Sequence, residues 1–274
     1  MPDNQLPLEQ PELYALGRIL IAGPVADARP FADKIAAAGH SVTLLVPEEE
    51  IEFAGKKHKV LAREEAIEPD EYSIAIELHC VSLEAKADAL FYLDDSLNED
   101  TLILTYTLAI STGELARELM MPERVVGLCI LPPISETKFV ELMVTPLTSV
   151  DALSRAEEFF KGVGLGYAQV GDSPGGVLGR TVCCLVNEAA LALQERIASA
   201  QEIDQAMKLG VAYPFGPLTW GDRIGLDRVL AVMDGLYAEF KEERYRPAPL
   251  LKKLVRAGHI GIRSGSGFFT HRQA

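Results

Sequence analysis

Cys129 and His79 are the side chains of this sequence that most directly suggest chemistry. A cysteine thiolate is a nucleophile, and a neighbouring histidine can accept the thiol proton. Cys129 lies in an apolar run from Val125 to Ile130, and His79 follows another from Ser73 to Ile76, so both would lie at the ligand-binding rim of one sheet. The alternative is that Cys129 is a small buried apolar residue. The sequence leaves both interpretations open.

Gly23, Val25 and Ala28 form a second candidate site, a strand-to-helix turn with the spacing of a dinucleotide-binding turn. Such a turn needs small residues for the tight bend, for the close approach of the pyrophosphate and for helix packing. Gly23 and Ala28 suit the first and third places, whereas Val25 puts a β-branched side chain at the second. The turn predicts either a degenerate NAD site or an ordinary strand-helix turn.

The surroundings of this turn also differ from a standard NAD site. The carboxylate that holds the ribose should end the second strand, where this sequence has Val46. The acidic run Glu48 to Glu50 follows, and would serve only along a different loop path. Asp27 suits the start of a helix but repels a pyrophosphate. We therefore expect weak NAD binding or none.

Strands and helices that alternate from Arg18 to Val170 must position these residues. The residues from Arg18 to Leu45 form a βαβ unit, which predicts a parallel sheet covered by helices on both faces. Short strands are predicted at Ser73 to Ile76, Thr101 to Leu104, Val125 to Ile130, Phe139 to Val144 and Tyr167 to Val170. Residues from Ile51 to Ala62 are expected to form at most a small strand pair.

The second half of the chain has apolar residues at helical spacing. Helices are predicted at Val177 to Ile197, Ile203 to Leu209, Arg223 to Phe240 and Pro249 to Ala257. We divide the chain into a polar tail, 1–16, a Rossmann-like domain, 17–171, and an all-helical domain, 172–274. The apolar content of the helical domain predicts that some of its faces pack against another subunit.

Composition and charge exclude several classes of function. The chain has 274 residues, 48% of them hydrophobic, and a net charge of −14, which opposes nucleic acids and anionic membranes. The basic run Lys56 to Lys59 would be a local phosphate site or, more simply, a solvated strand edge. Four cysteines without CxxC spacing predict reduced thiols and no metal site. The polar start and the lack of a long apolar run predict a cytoplasmic protein.

Motifs in the second half resemble those of one family. They are Asp172-Ser173-Pro174-Gly175, Asn187-Glu188-Ala189, Glu202-Ile203-Asp204, Gly216-Pro217, Asp222-Arg223-Ile224-Gly225-Leu226-Asp227 and Gly265-Ser266-Gly267-Phe268-Phe269. This stretch is similar to the helical carboxyl-terminal domain of the 3-hydroxyacyl-CoA dehydrogenase family. The resemblance implies a homodimer formed through the helical domain and NAD-dependent oxidation of 3-hydroxyacyl-CoA to 3-ketoacyl-CoA.

The resemblance also places the family's catalytic residues on this sequence. Cys129 stands where the family has its catalytic histidine, and Glu141 matches the glutamate that orients that histidine. Leu108 replaces a serine, and Gly179 replaces an asparagine. The resemblance thus predicts that the family reaction is weak or lost. Glu141 also has a simpler interpretation, an exposed residue that alternates with apolar neighbours on a strand.

Acyl-CoA binding is affected as well. Family members insert a helical hairpin that helps to clamp the acyl-CoA, and the interval from Val46 to Ser73 is too short for it. Three hypotheses remain: a family dehydrogenase with weak or lost activity, a non-catalytic protein that binds acyl-CoA or another small molecule or assembles subunits through the same dimer, and a cysteine-dependent enzyme built on Cys129.

Overall fold

The computed structural model describes residues 17–62 and 67–271, and the predicted polar tail lies outside these ranges. The described residues contain one sheet of eight strands in the order β3-β2-β1-β4-β5-β6-β7-β8. The strands are β1 (Arg18–Ala22), β2 (Val42–Val46), β3 (Lys59–Ala62), β4 (Tyr72–Glu77), β5 (Leu102–Tyr106), β6 (Val125–Cys129), β7 (Phe139–Val144) and β8 (Gly166–Gly171).

The first six strands are parallel, as the alternation predicts, but β7 runs antiparallel to β6 and β8 is parallel to β7. A parallel neighbour needs a crossover of about a dozen residues or more. The segment 130–138 between β6 and β7 is too short for that and turns the chain back. The predicted parallel sheet is therefore mixed at one edge, where β7 and β8 run opposite to the other six strands.

Helices cover the sheet and form the second half of the chain. They are α1 (Val25–Ala37), α2 (Ile51–Ala54), α3 (Leu83–Ser96), α4 (Thr112–Ala116), α5 (Val150–Val163), α6 (Leu178–Gln194), α7 (Ala200–Gly210), α8 (Pro217–Ile224), α9 (Leu226–Phe240) and α10 (Pro249–Arg256). The α/β fold class with a helical second domain is confirmed.

Two details of the helices differ from the prediction. The expected helix from Arg223 to Phe240 is interrupted at Gly225, which has φ +104° and separates α8 from α9. The expected strand pair between Ile51 and Ala62 is instead one turn of helix, α2, followed by the single edge strand β3. In both cases a glycine with positive φ ends the helix, at Gly225 and at Gly55.

The sheet order reverses between β1 and β4, and this reversal positions the candidate site. Crossovers leave β1 towards β2 and leave β4 towards β5, so a crevice opens beyond the carboxyl ends of these strands. Side chains alternate between the faces of β1: Ile19 and Ile21 belong to one core, and Leu20 to the other. The first core continues into the helical domain through Val182 and Val229.

Candidate active site

Leu108, Cys129 and Gly179, three positions that the resemblance relates to catalysis, meet in the folded chain. Leu108 follows β5, Cys129 ends β6 and Gly179 lies in the first turn of α6. A Cβ atom placed on Gly179 would be 3.2 Å from Leu108 Cδ1 and 3.7 Å from Cys129 Sγ. Leu108 and Cys129 are buried. We call these three residues the apolar contact, because no polar side chain among them faces the others.

Cys129 is a buried thiol. Its Sγ donates a hydrogen bond to the Gly175 carbonyl oxygen at 3.5 Å. Burial raises the pKa of the Cys129 thiol well above its ordinary value, and the negative charge of Glu141 raises it further. The His79 ring bonds to Glu77 instead, with Nδ1 3.1 Å from the carboxylate oxygen. The geometry therefore lends no support to a thiolate-histidine pair between Cys129 and His79.

Glu141 lies directly opposite Cys129 in the antiparallel pairing of β7 with β6. Its carboxylate accepts hydrogen bonds from the backbone N–H groups of Val177 and Leu178, each at 3.1 Å. Burial raises the pKa of Glu141, and the two N–H groups oppose only part of the rise. Glu141 is thus buried at the amino end of α6, so its interpretation as an exposed strand residue was wrong.

The turn after β1 keeps its glycine for a steric reason. Gly23 has φ +150°, and a Cβ atom there would lie 2.9 Å from the Leu78 side chain. Val25 and Ala28 are both buried. The Val25 N–H donates to Glu50 Oε2 at 2.7 Å. A carboxylate of this chain therefore occupies the N–H at the start of α1, where an anionic ligand of such a turn would bind.

Asp27 also has a partner that the sequence did not indicate. Its carboxylate forms a buried ion pair with Arg228 of α9, in the helical domain. Asp27 lies in the first turn of α1, as expected, and its negative charge is paired between the two domains. We call Asp27, Glu50 and Arg228 the charged crevice.

The charged crevice lies over the point where the sheet order reverses. Asp27 and Glu50 come from the segments after β1 and β2, while Arg228 reaches in from the other domain. Cys80 and Tyr106, which follow β4 and end β5, both lie within electrostatic reach of Arg228. Glu50 therefore holds an N–H group to which the pyrophosphate of a dinucleotide would bind at such a turn.

A second buried ion pair lies at the ends of β4 and β5. Lys86 of α3 contacts the Glu77 carboxylate and donates to Thr105 Oγ1 at 2.7 Å and to the Tyr106 carbonyl at 2.6 Å. Glu77 also accepts from the His79 N–H. Sequence reasoning missed this cluster. The available signal was a carboxylate at the end of an apolar strand, followed by a lysine in the next helix.

A cleft of about 920 Å³ separates α9 from the loops that follow β4 and β5. Its apolar wall includes Val81, Leu83, Ile110, Leu230 and Val255. Its charged lining residues are Glu114, Arg117, Asp227, Asp234 and Glu239. Four of these five are acidic, and the one arginine pairs with Glu118. The cleft therefore suits an apolar group better than the phosphates of a CoA.

Two other predictions concern metals and membranes. The described residues contain no group of three or more His, Cys, Asp or Glu side chains that could hold a metal ion. Among the helices in 17–62 and 67–271, none is both long and apolar enough to cross a membrane. The four cysteines are free thiols in the structure, as the sequence predicts.

Both halves of the chain match models of known domains. Residues 36–173 match the 3-hydroxyacyl-CoA dehydrogenase NAD binding domain, and residues 175–271 match the 3-hydroxyacyl-CoA dehydrogenase C-terminal domain. The first match begins inside α1, after the Gly23 turn.

Individual relatives agree with these matches. A 3-hydroxybutyryl-CoA dehydrogenase of Clostridioides difficile is 37% identical over 73% of this chain and 71% of its own length. One from Mycobacterium tuberculosis (strain H37Rv; ATCC 25618) is 28% identical over 94% of this chain and 99% of its own. The crystal structure of (S)-3-hydroxybutyryl-CoA dehydrogenase from Ralstonia eutropha is 28% identical and aligns with a TM-score of 0.79 over 94% of this chain and 100% of that chain.

Proposed function

Because this chain belongs to the 3-hydroxyacyl-CoA dehydrogenase family, we propose that it keeps the family scaffold while its NAD-dependent oxidation of 3-hydroxyacyl-CoA to 3-ketoacyl-CoA is weak or absent. In that reaction a hydride leaves the substrate carbon for NAD, and the hydroxyl proton goes to a base. The observation that carries the proposal is the apolar contact, since Leu108, Cys129 and Gly179 offer no base at the position where the family has one.

Neither remaining candidate replaces the base. The Cys129 thiol has a raised pKa, so it stays protonated near neutral pH and does not take a proton from an alcohol. Both Glu141 oxygens accept from the amino end of α6. If activity persists, Glu141 is the group we expect to orient the reacting partner, with Cys129 beside it.

The direct test is NADH formation from (S)-3-hydroxybutyryl-CoA and from longer 3-hydroxyacyl-CoAs. We expect turnover about 10²–10⁴-fold below that of a relative with the histidine, which is the usual contribution of a general base. The same assay on Cys129→Ala and Glu141→Ala identifies any residual chemistry. The proposal is wrong if NADH forms at a relative's rate, or if robust turnover survives Cys129→Ala but is lost in Glu141→Ala.

A second candidate is a non-catalytic binding or assembly protein, which needs an interaction surface on the helical domain. Ile197, Leu209 and Val211 are 71%, 76% and 53% exposed, which is unusual for large apolar residues near one helix, α7. We propose that this domain forms a homodimer. Light scattering tests this: the wild type should have twice the chain mass, and Leu209→Glu should lower it. Acyl-CoA binding and a cytoplasmic location stay predictions of the sequence.

A further inference from the structure

We infer that this chain keeps its dinucleotide crevice closed with its own charged side chains, Glu50 at the start of α1 and the Asp27–Arg228 pair between the two domains. The inference rests on the proposed function, because it addresses the same site. It goes further by naming what takes the place of the cofactor. An internal carboxylate and an internal ion pair would occupy the positions that NAD needs.

Glu50 supplies the first part of the closure. The amino end of a helix of this length attracts anions through its free N–H groups and its dipole. Here the Val25 N–H already donates to Glu50 at 2.7 Å, while the N–H groups of Asp27 and Ala28 bond to the Pro24 carbonyl. A pyrophosphate at this turn would have to displace Glu50 and would meet the negative charge that it carries.

The ion pair supplies the second part. Asp27 and Arg228 are 5% and 6% exposed, and they come from different domains. Arg228 also donates to the Ile224 carbonyl at the end of α8, at 3.4 Å. A buried charge without its partner is costly, so a ligand that separated the two side chains would have to compensate both of them. The pair therefore holds α9 against the first turn of α1 without any ligand.

Val25 and Pro24 make the same site less accessible. Pro24 lacks an N–H, and Val25 is buried beside the turn. Pro24 and Val25 thus leave the turn with fewer N–H donors and less room for a pyrophosphate. The charged crevice acts differently, because its side chains already pair with the turn and with each other. The first effect alone would leave an open, weak site. The charged crevice predicts a closed site, and hydrogen exchange distinguishes a closed site from an open, weak one.

The first measurement is the response of the wild-type protein to NADH. A dissociation constant of about 10 µM would raise Tm by several degrees at about 1 mM NADH, because NADH would bind only the folded state. We expect a Tm shift below about 1 °C and no change in cofactor fluorescence. Binding without turnover would overturn the inference and leave the proposed function intact, whereas turnover would overturn both.

The second measurement is hydrogen exchange in the first turns of α1 and α9. We expect Glu50→Ala to speed exchange of the Val25 amide about tenfold or more, since Glu50 is its acceptor. Glu49→Ala, an exposed neighbour, is the matched control and should leave it unchanged. Unchanged exchange in Glu50→Ala would overturn this half of the inference.

The domain contact is tested with the double variant Asp27→Leu/Arg228→Met, which leaves no unpaired buried charge and is therefore expected to fold. Exchange should become faster in both first turns, 25–28 and 226–229, by about tenfold. Arg263→Met is the matched control. It removes a more exposed ion pair, with Asp227, from the same end of α9 and should leave the exchange rate of the first turn of α1 unchanged. Protection that persists in the double variant would show that the pair does not close the crevice.

Discussion

The charged crevice and the apolar contact lie at the carboxyl-end edge of one sheet and are filled in opposite ways. In the crevice, carboxylates and a guanidinium from distant segments pair with one another or with backbone N–H groups. In the contact, leucine, a thiol and a glycine pack at positions where the family resemblance would place polar groups. The two differ in what a single substitution leaves behind. A broken ion pair leaves a buried charge, while a truncated leucine leaves a cavity.

Arg228→Met should have the largest effect on stability. It leaves the Asp27 carboxylate buried without its partner, so we expect the free energy of unfolding to fall by about 3–5 kcal/mol. Adding Asp27→Leu removes the second charge and should recover most of that loss. Urea unfolding of the wild type, Arg228→Met and the double variant measures both effects. A double variant no more stable than Arg228→Met would mean that packing, not charge, holds this region.

Leu108→Ala tests the apolar contact and should cost less. The side chain is fully buried, and its removal leaves a cavity, so we expect a loss of about 3 kcal/mol. Here no second substitution restores stability, unlike in the charged crevice. Leu147→Ala is the matched control, because Leu147 is 42% exposed, and it should change stability by less than about 0.5 kcal/mol. Equal losses in the two variants would show that the contact is loosely packed.

The sequence predicted the apolar contact better than the charged crevice, for a physical reason. Leu108, Cys129 and Gly179 could be placed from the family spacing, and they meet because β5 pairs with β6 and the first turn of α6 packs beside them. Asp27 and Arg228 lie in different domains, and nothing in either local sequence points to the other. Long-range ion pairs carry no periodic signal, unlike strands and helices.

Smaller errors have the same origin. The alternation of strands and helices predicted most of the sheet, because central strands such as β2, β4 and β5 are mainly apolar and buried. The direction of β7 depended on the length of the connection before it, and the break at Gly225 on one backbone angle. The role of Glu50 depended on a loop path that turns back to α1. These are properties of the folded chain rather than of local patterns.

Glu77 and Glu141 are two further buried carboxyl groups, and they should make stability depend on pH in opposite directions. Burial raises the pKa of both, but at Glu77 the Lys86 ammonium and the His79 contacts outweigh burial and lower it overall. A lowered folded-state pKa gives stability that is lost as pH falls, whereas a raised one gives stability that is lost as pH rises through it. We therefore expect the stability difference between wild type and Glu77→Gln to shrink from about pH 7 to pH 4.

For Glu141→Gln the difference from wild type should change in the opposite direction and grow as the pH falls over the same range. Urea unfolding at several pH values measures both slopes. Slopes of the same sign would mean that the pKa of one of the two buried carboxyl groups is shifted in the other direction, and the contrast between Glu77 and Glu141 would then fail.

The labelling rates of the buried thiols should change least of all, yet they distinguish the charged crevice from the apolar contact in one experiment. Burial raises the pKa of Cys80 to about 12 and raises that of Cys129 well above its ordinary value, so both should react slowly in the native protein. Cys184 is only partly buried and should react first.

Asp27→Leu/Arg228→Met should speed labelling of Cys80, which lies near Arg228, more than that of Cys129. Leu108→Ala should do the reverse, because Leu108 and Cys129 lie on either side of Gly179. Equal acceleration of both thiols in each variant would mean that the edge opens as one unit, and the two fillings would then be parts of a single cooperative core.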